Sequence, residues 1–113
     1  MRPIVVATTD ASGGATFSNM ARMDDWSTGQ VDVQVVVTGT VNYTVQTSMD
    51  DPNSPTDPVA VASMTWSDSS IAGATATQGP VNLGFVPIFI RVKQSSGTGS
   101  TSTTIRQLGV TNR

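Results

Sequence analysis

The sequence predicts an all-β domain, an antiparallel β-sandwich of jelly-roll or Ig-like type with about seven or eight short strands. Three observations predict it. Apolar residues, mostly Val, recur at every second position in several stretches, the pattern of half-buried strands. Clusters of Gly, Pro, Asp and Ser divide those stretches at fairly even spacing. No stretch carries a convincing helical period between capping residues. The strongest signal is residues 31–48, VDVQVVVTGTVNYTVQTS, which reads as a hairpin through Thr38, Gly39 and Thr40. In its first arm Val31, Val33, Val35 and Val37 share a face, opposite Asp32 and Gln34. In its second arm Val41, Tyr43 and Val45 oppose Asn42, Thr44 and Gln46. Gly39 supplies the positive φ that a tight connection needs.

The other elements follow in chain order. Residues 3–9, PIVVATT, read as an opening strand, with Pro3 suited to a strand start or an edge. Ser12, Gly13 and Gly14 form a turn. Residues 16–23 read as a strand with Phe17 inward plus irregular loop, and residues 24–29 as a turn with Trp26 partly buried. Residues 50–58 hold Pro52, Pro55 and Pro58 among Asp50, Asp51 and Asp57, a long loop. A short strand is expected near residues 63–67 with Trp66 in the core. Residues 68–78 are small and polar, anchored by Ile71. Residues 81–84 form a short strand with Val81 and Leu83 on one face. Residues 85–94 form the second strong strand, with Ile88, Ile90 and Val92 on one face and Phe89, Arg91 and Lys93 on the other. Residues 95–100 turn the chain. Residues 101–108 close the fold with Thr101, Thr103 and Ile105 in register, and the opposite parity of Leu108 suggests a bulge or a switch of sheet. The 113 residues suit one domain, 1–113, with residues 1–9 and 109–113 as extended arms.

Composition excludes much chemistry. The chain has no His and no Cys, and its eight acidic residues are all Asp. The commonest general base, the thiol nucleophile and the usual zinc ligands are missing, so an enzyme is not expected. Asp24–Asp25 and Asp50–Asp51 are adjacent pairs, and such Asp residues in turns bond their own backbone more often than they form a carboxylate dyad. Asp50, Asp51, Asn53 and Asp57 offer hard oxygen donors for calcium, but they do not match an EF-hand loop, and a plain turn cluster is the favoured reading. No cofactor is expected. Charged residues make up 12% of the chain, below the roughly 25% of an average domain. Six basic residues are scattered without a stripe, so no nucleic-acid partner is expected. No apolar run is long enough to span a bilayer, and the short run Ile4, Val5, Val6, Ala7 does not make an export signal. A Ser/Thr-rich surface of low charge favours self-association or docking on a larger body.

The start RPIVV, the central VVVTGTVNYTVQ followed by Asp50–Asp51, the segment Met64, Thr65, Trp66 and the closing strand ending TTIRQLG together resemble small β-sandwich proteins encoded near the capsid genes of tailed bacteriophages. Such proteins are commonly capsid decoration (cement) proteins or other minor virion components. The resemblance implies a structural role on the capsid surface after synthesis in the host cytoplasm. It also implies the major capsid protein as partner and a homo-oligomeric state. Ile4, Val5 and Val6, apolar at the very start of the chain, are the expected inter-subunit or capsid contact. Two alternatives belong to other classes: a low-copy tail, neck or fibre component, and a carbohydrate-binding module using Trp26 or Trp66.

Overall fold

The computed structural model describes residues 4–23, 30–83 and 87–108. Among them are nine strands and one 3-10 turn, and no α-helix. Two antiparallel sheets form a sandwich. The first has the order β1 (Ile4–Thr9), β9 (Ser100–Leu108), β4 (Gln30–Thr38), β7 (Gln78–Asn82). The second has the order β2 (Thr16–Phe17), β8 (Phe89–Ser96), β5 (Asn42–Ser48), β6 (Ser67–Asp68), and β3 (Ala21–Arg22) also pairs with β8.

The expected hairpin between the two arms of residues 31–48 does not form. β4 pairs with β9 in one sheet, and β5 pairs with β8 in the other. The register carries from Thr38↔Ser100 through Asn42↔Ser96, shifting by a bulge only between Asn42 and Tyr43. Residues 30–48 and 89–108 are therefore one long antiparallel ribbon, folded over so that each half lies in a different sheet. Alternation interrupted by a glycine is equally the signature of a strand that changes sheets, and sequence cannot separate the two. The fold point needs glycine on both strands. Gly39 has φ 81° and Gly97 has φ 100°. A β-carbon on Gly97 would lie 2.2 Å from the Thr40 carbonyl oxygen, and one on Gly99 would lie 2.3 Å from that of Thr38. The Gly99 amide donates to the Thr40 carbonyl (2.9 Å). The β1–β2 crossing packs on the same corner, where the Ala11 and Asp10 amides donate to the carbonyls of Gly97 (2.7 Å) and Gly99 (3.1 Å).

The core lies between the sheets. Val31, Val33, Val35, Val6 and Ile105 of the first sheet meet Tyr43, Val45, Ile90 and Val92 of the second, and Ala21, Met23 and Ile71 close the margins. Near the corner the core is polar. Gln94 is fully buried. The Thr8 hydroxyl donates to Gln94 Oε1 (2.8 Å) and lies 2.6 Å from the Thr101 hydroxyl. Since the one Thr8 proton goes to Gln94, Thr101 is the donor in that pair. Gln94 Nε2 donates to the carbonyls of Gly97 (3.1 Å) and Gly99 (3.0 Å), so this side chain braces the corner from inside. Thr103, also fully buried, has a hydroxyl with no partner.

Four local expectations are corrected. Phe17 points outward and is 50% exposed, because its register partner Lys93 lies on the outer face of β8. The short strand expected near residues 63–67 begins only at Ser67, after a 3-10 turn over residues 61–63. Trp66 lies half-buried outside the core rather than in it. β9 runs to Leu108 in unbroken register with β4, so no bulge or switch occurs there. The turn at residues 24–29 with Trp26, and the arm at 109–113, fall outside the described residues.

Two substitutions test this account by urea unfolding. Thr103→Val removes an unsatisfied buried hydroxyl at constant shape and is expected to stabilise by about 1 kcal/mol. Gly97→Ala forces a β-carbon into a carbonyl oxygen at positive φ and is expected to cost more than about 2 kcal/mol.

Candidate functional site

The two outer faces differ chemically. On the second sheet, alternation along β8 sends Phe89, Arg91 and Lys93 outward while Ile90, Val92 and Gln94 face the core. Register then sets their neighbours: Arg22 beside Phe89, Gln46 beside Arg91, Asp68 beside Gln46, and Phe17 and Thr44 on either side of Lys93. The central carbon of the Arg91 guanidinium lies over two rings, 4.3 Å from the Phe17 centroid and 4.1 Å from that of Trp66. Its Nε donates to Gln46 Oε1 (2.9 Å), and Gln46 Nε2 donates to Asp68 Oδ1 (3.1 Å). The side chain is thus held by two rings and one hydrogen bond. Burial pulls the Arg91 pKa below the ordinary arginine value, yet an arginine stays charged at any physiological pH.

At the other end of this face Arg22 makes a bidentate pair with Asp51 (3.1 and 3.3 Å) and lies 5.5 Å from the Phe89 centroid. The Asn53 amide (2.9 Å) and Arg22 hold the Asp51 carboxyl below the usual aspartate range. Asp50 accepts the Thr65 amide (2.6 Å). The proline-rich excursion is therefore tied down by its aspartates. Of the oxygens considered for calcium, those of Asp50 and Asp51 are turned to separate backbone and arginine partners, and among the described residues no group of three or more acidic side chains comes together.

The outer face of the first sheet is nearly uncharged. Val5, Thr104 and Gln34 lie in one row across β1, β9 and β4, and Ala7, Ser102 and Val36 in the next. Beyond them Arg106 pairs in register with Asp32, and an open depression of about 200 Å³ lies among Asp32, Gln34, Pro80, Thr104 and Arg106. The two edges of this sheet are treated differently. β7 carries Pro80 and a register shift between Val33 and Val35, both of which spoil further pairing. β1, IVVATT, has no proline, no charge and no register shift.

The three residues expected to make a contact are thereby separated. Val6 is buried in the core, Ile4 packs against it, and only Val5, 61% exposed, faces outward. Residues 4–9 form a strand of the first sheet paired along its whole length with β9. The Phe17–Arg91–Trp66 stack escaped sequence reasoning. Its one signal was the outward parity of Arg91, since the partners arrive from β2 and from the segment before β6. No helix among the described residues is long and apolar enough to cross a membrane. No family model matches the chain, and no curated protein matches it.

The Asp51 tether has a defined pH dependence. Because its folded pKa is depressed, its contribution is complete above the ordinary aspartate pKa and is lost as pH falls through the depressed value. Melting temperatures of the wild type and Asp51→Asn, followed from neutral to acid pH, should differ by a small amount at neutrality and converge below the aspartate range.

Proposed function

We propose that the chain is a structural virion protein that binds the outside of a bacteriophage capsid and stabilises the shell, as decoration (cement) proteins do. The observation that carries this reading is the β1 edge: six paired, uncharged residues with an exposed Val5, beside an outer face of Ser, Thr and small apolar side chains. An unguarded edge takes an added strand through backbone hydrogen bonds, and a face of low charge sets up little repulsion between neighbouring copies. A shell offers many identical positions, so a weak contact at each is multiplied by avidity. The major capsid protein is the partner in this reading, and copies of the chain associate with each other on the shell. Residues 103–109, TTIRQLG, and the other stretches resembling phage β-sandwich proteins support the same assignment.

The test is quantitative mass spectrometry of purified particles. Copies of this chain in a simple ratio to the coat protein are expected. A handful per particle would place it in the neck, tail or fibre, and absence from particles would overturn the virion reading. Val5→Lys, which places a charge on the edge, should weaken shell binding at least about tenfold and change unfolding stability by less than about 0.5 kcal/mol.

A further inference from the structure

We propose that the Arg91 stack is a docking point for a carboxylate side chain of a protein partner, seated against the Nη1 and Nη2 donors of the guanidinium beside Phe17 and Trp66. Arginine carries five N–H donors. One is used, from Nε to Gln46. The four on Nη1 and Nη2 have no partner among the described residues. The group is held in place: its central carbon lies over both the Phe17 and Trp66 rings, and Gln46, itself anchored on Asp68, accepts from Nε. An immobilised planar fork with its outer donors unpaired matches a carboxylate, which accepts two parallel N–H bonds.

Charge complementarity points the same way. Lys93 stands two residues along on the same face, beside Phe17, and has no partner among the described residues. Asp68, the acid facing this pair through Gln46, leaves the local balance positive on a chain of net charge −2. A charged fork beside two aromatic rings has the composition of a protein–protein contact. Arg and Trp dominate interface hot spots in this way, with a rim that keeps water from the central pair. The contact is separate from the β1 edge, which belongs to the other sheet, and it stands whether the partner is a shell protein or another chain.

The experiment is an NMR titration of the full chain with an acetylated, amidated hexaglutamate peptide, following the Arg91 Nε–H and Trp66 indole resonances. Saturable shifts confined to Phe17, Trp66, Arg91 and Lys93 are expected. Arg91→Lys keeps the charge but loses the fork and should weaken binding at least about fivefold, and Arg91→Gln should abolish it. Asp68→Asn keeps an acceptor for Gln46 while removing the nearby negative charge, and should tighten binding about twofold. That variant leaves the stack intact, so it decides the matter should Arg91→Gln perturb the fold. Unchanged binding in Arg91→Gln, or weaker binding in Asp68→Asn, would overturn the proposal. So would saturation by polygalacturonate but not by the peptide, which would assign the site to acidic glycans. Inorganic phosphate binding as tightly as the peptide would show a simple charge site and overturn it too.

Discussion

Two carbonyl oxygens, those of Thr38 and Thr40, stand where β-carbons on Gly99 and Gly97 would have to be. That exclusion lets two strands cross between sheets in contact, so that one ribbon supplies the centre of both. β9 and β4 are the inner strands of the first sheet, and β8 and β5 those of the second. The short strands β2, β3, β6 and β7 add to edges this ribbon has already made. A side chain at the corner would push the strands apart there and shift the register of both sheets, and each one-residue slip exchanges the core face for the solvent face.

The polar cluster beneath the corner belongs to the same device. A buried Gln costs desolvation unless its amide is satisfied, and here both ends of Gln94 are: the oxygen by Thr8, the nitrogen by two carbonyls of the turn. Such a network ties β1, β8 and β9 at fixed distances, which an apolar contact, lacking direction, would not do. Thr103 lies on the same inner face of β9, two residues past Thr101, and is outside this network. Its orphan hydroxyl is a cost without a matching constraint.

How much of this was legible depends on whether the information was local. Alternation in residues 31–37 and 101–105 gave the inner faces correctly, because a pleated strand fixes side-chain parity with no reference to its partner. The loop at residues 50–58 was equally plain, since its prolines block regular pairing. The partner of β4 was not legible: Gly39 suits a hairpin and a sheet crossing alike, and the deciding contact comes from Gly97 and Gly99, far along the chain. Trp66 was misplaced for a related reason. Its size suggests the core, but β8 already offers an arginine for it to cover. The candidate site was the least legible part, because Phe17, Gln46, Trp66 and Arg91 sit on separate segments joined only by the pairing of β2, β5 and β8.

The arginine stack adds little as a stabilising device. An exposed cation–π contact is worth about 0.5–1 kcal/mol, and enclosing a guanidinium sets a desolvation penalty against that gain. An aliphatic side chain at position 91 would cover Phe17 and Trp66 equally well without removing a charge from water. What the guanidinium adds is a set of directional donors, held in place by two rings and by the Gln46 amide oxygen at Nε. Elsewhere on this face polar groups are spent inward: Arg22 on Asp51, Gln46 on Asp68, and the Thr44 hydroxyl on the Gly73 amide. Thr44, Gln46 and Ser48 of β5 all have partners for their side chains, and β8 beside it keeps Arg91 and Lys93 on the outer face. A face that leaves the Nη donors of Arg91 and the Lys93 ammonium without partners among the described residues has the charge pattern of a surface that meets an acid.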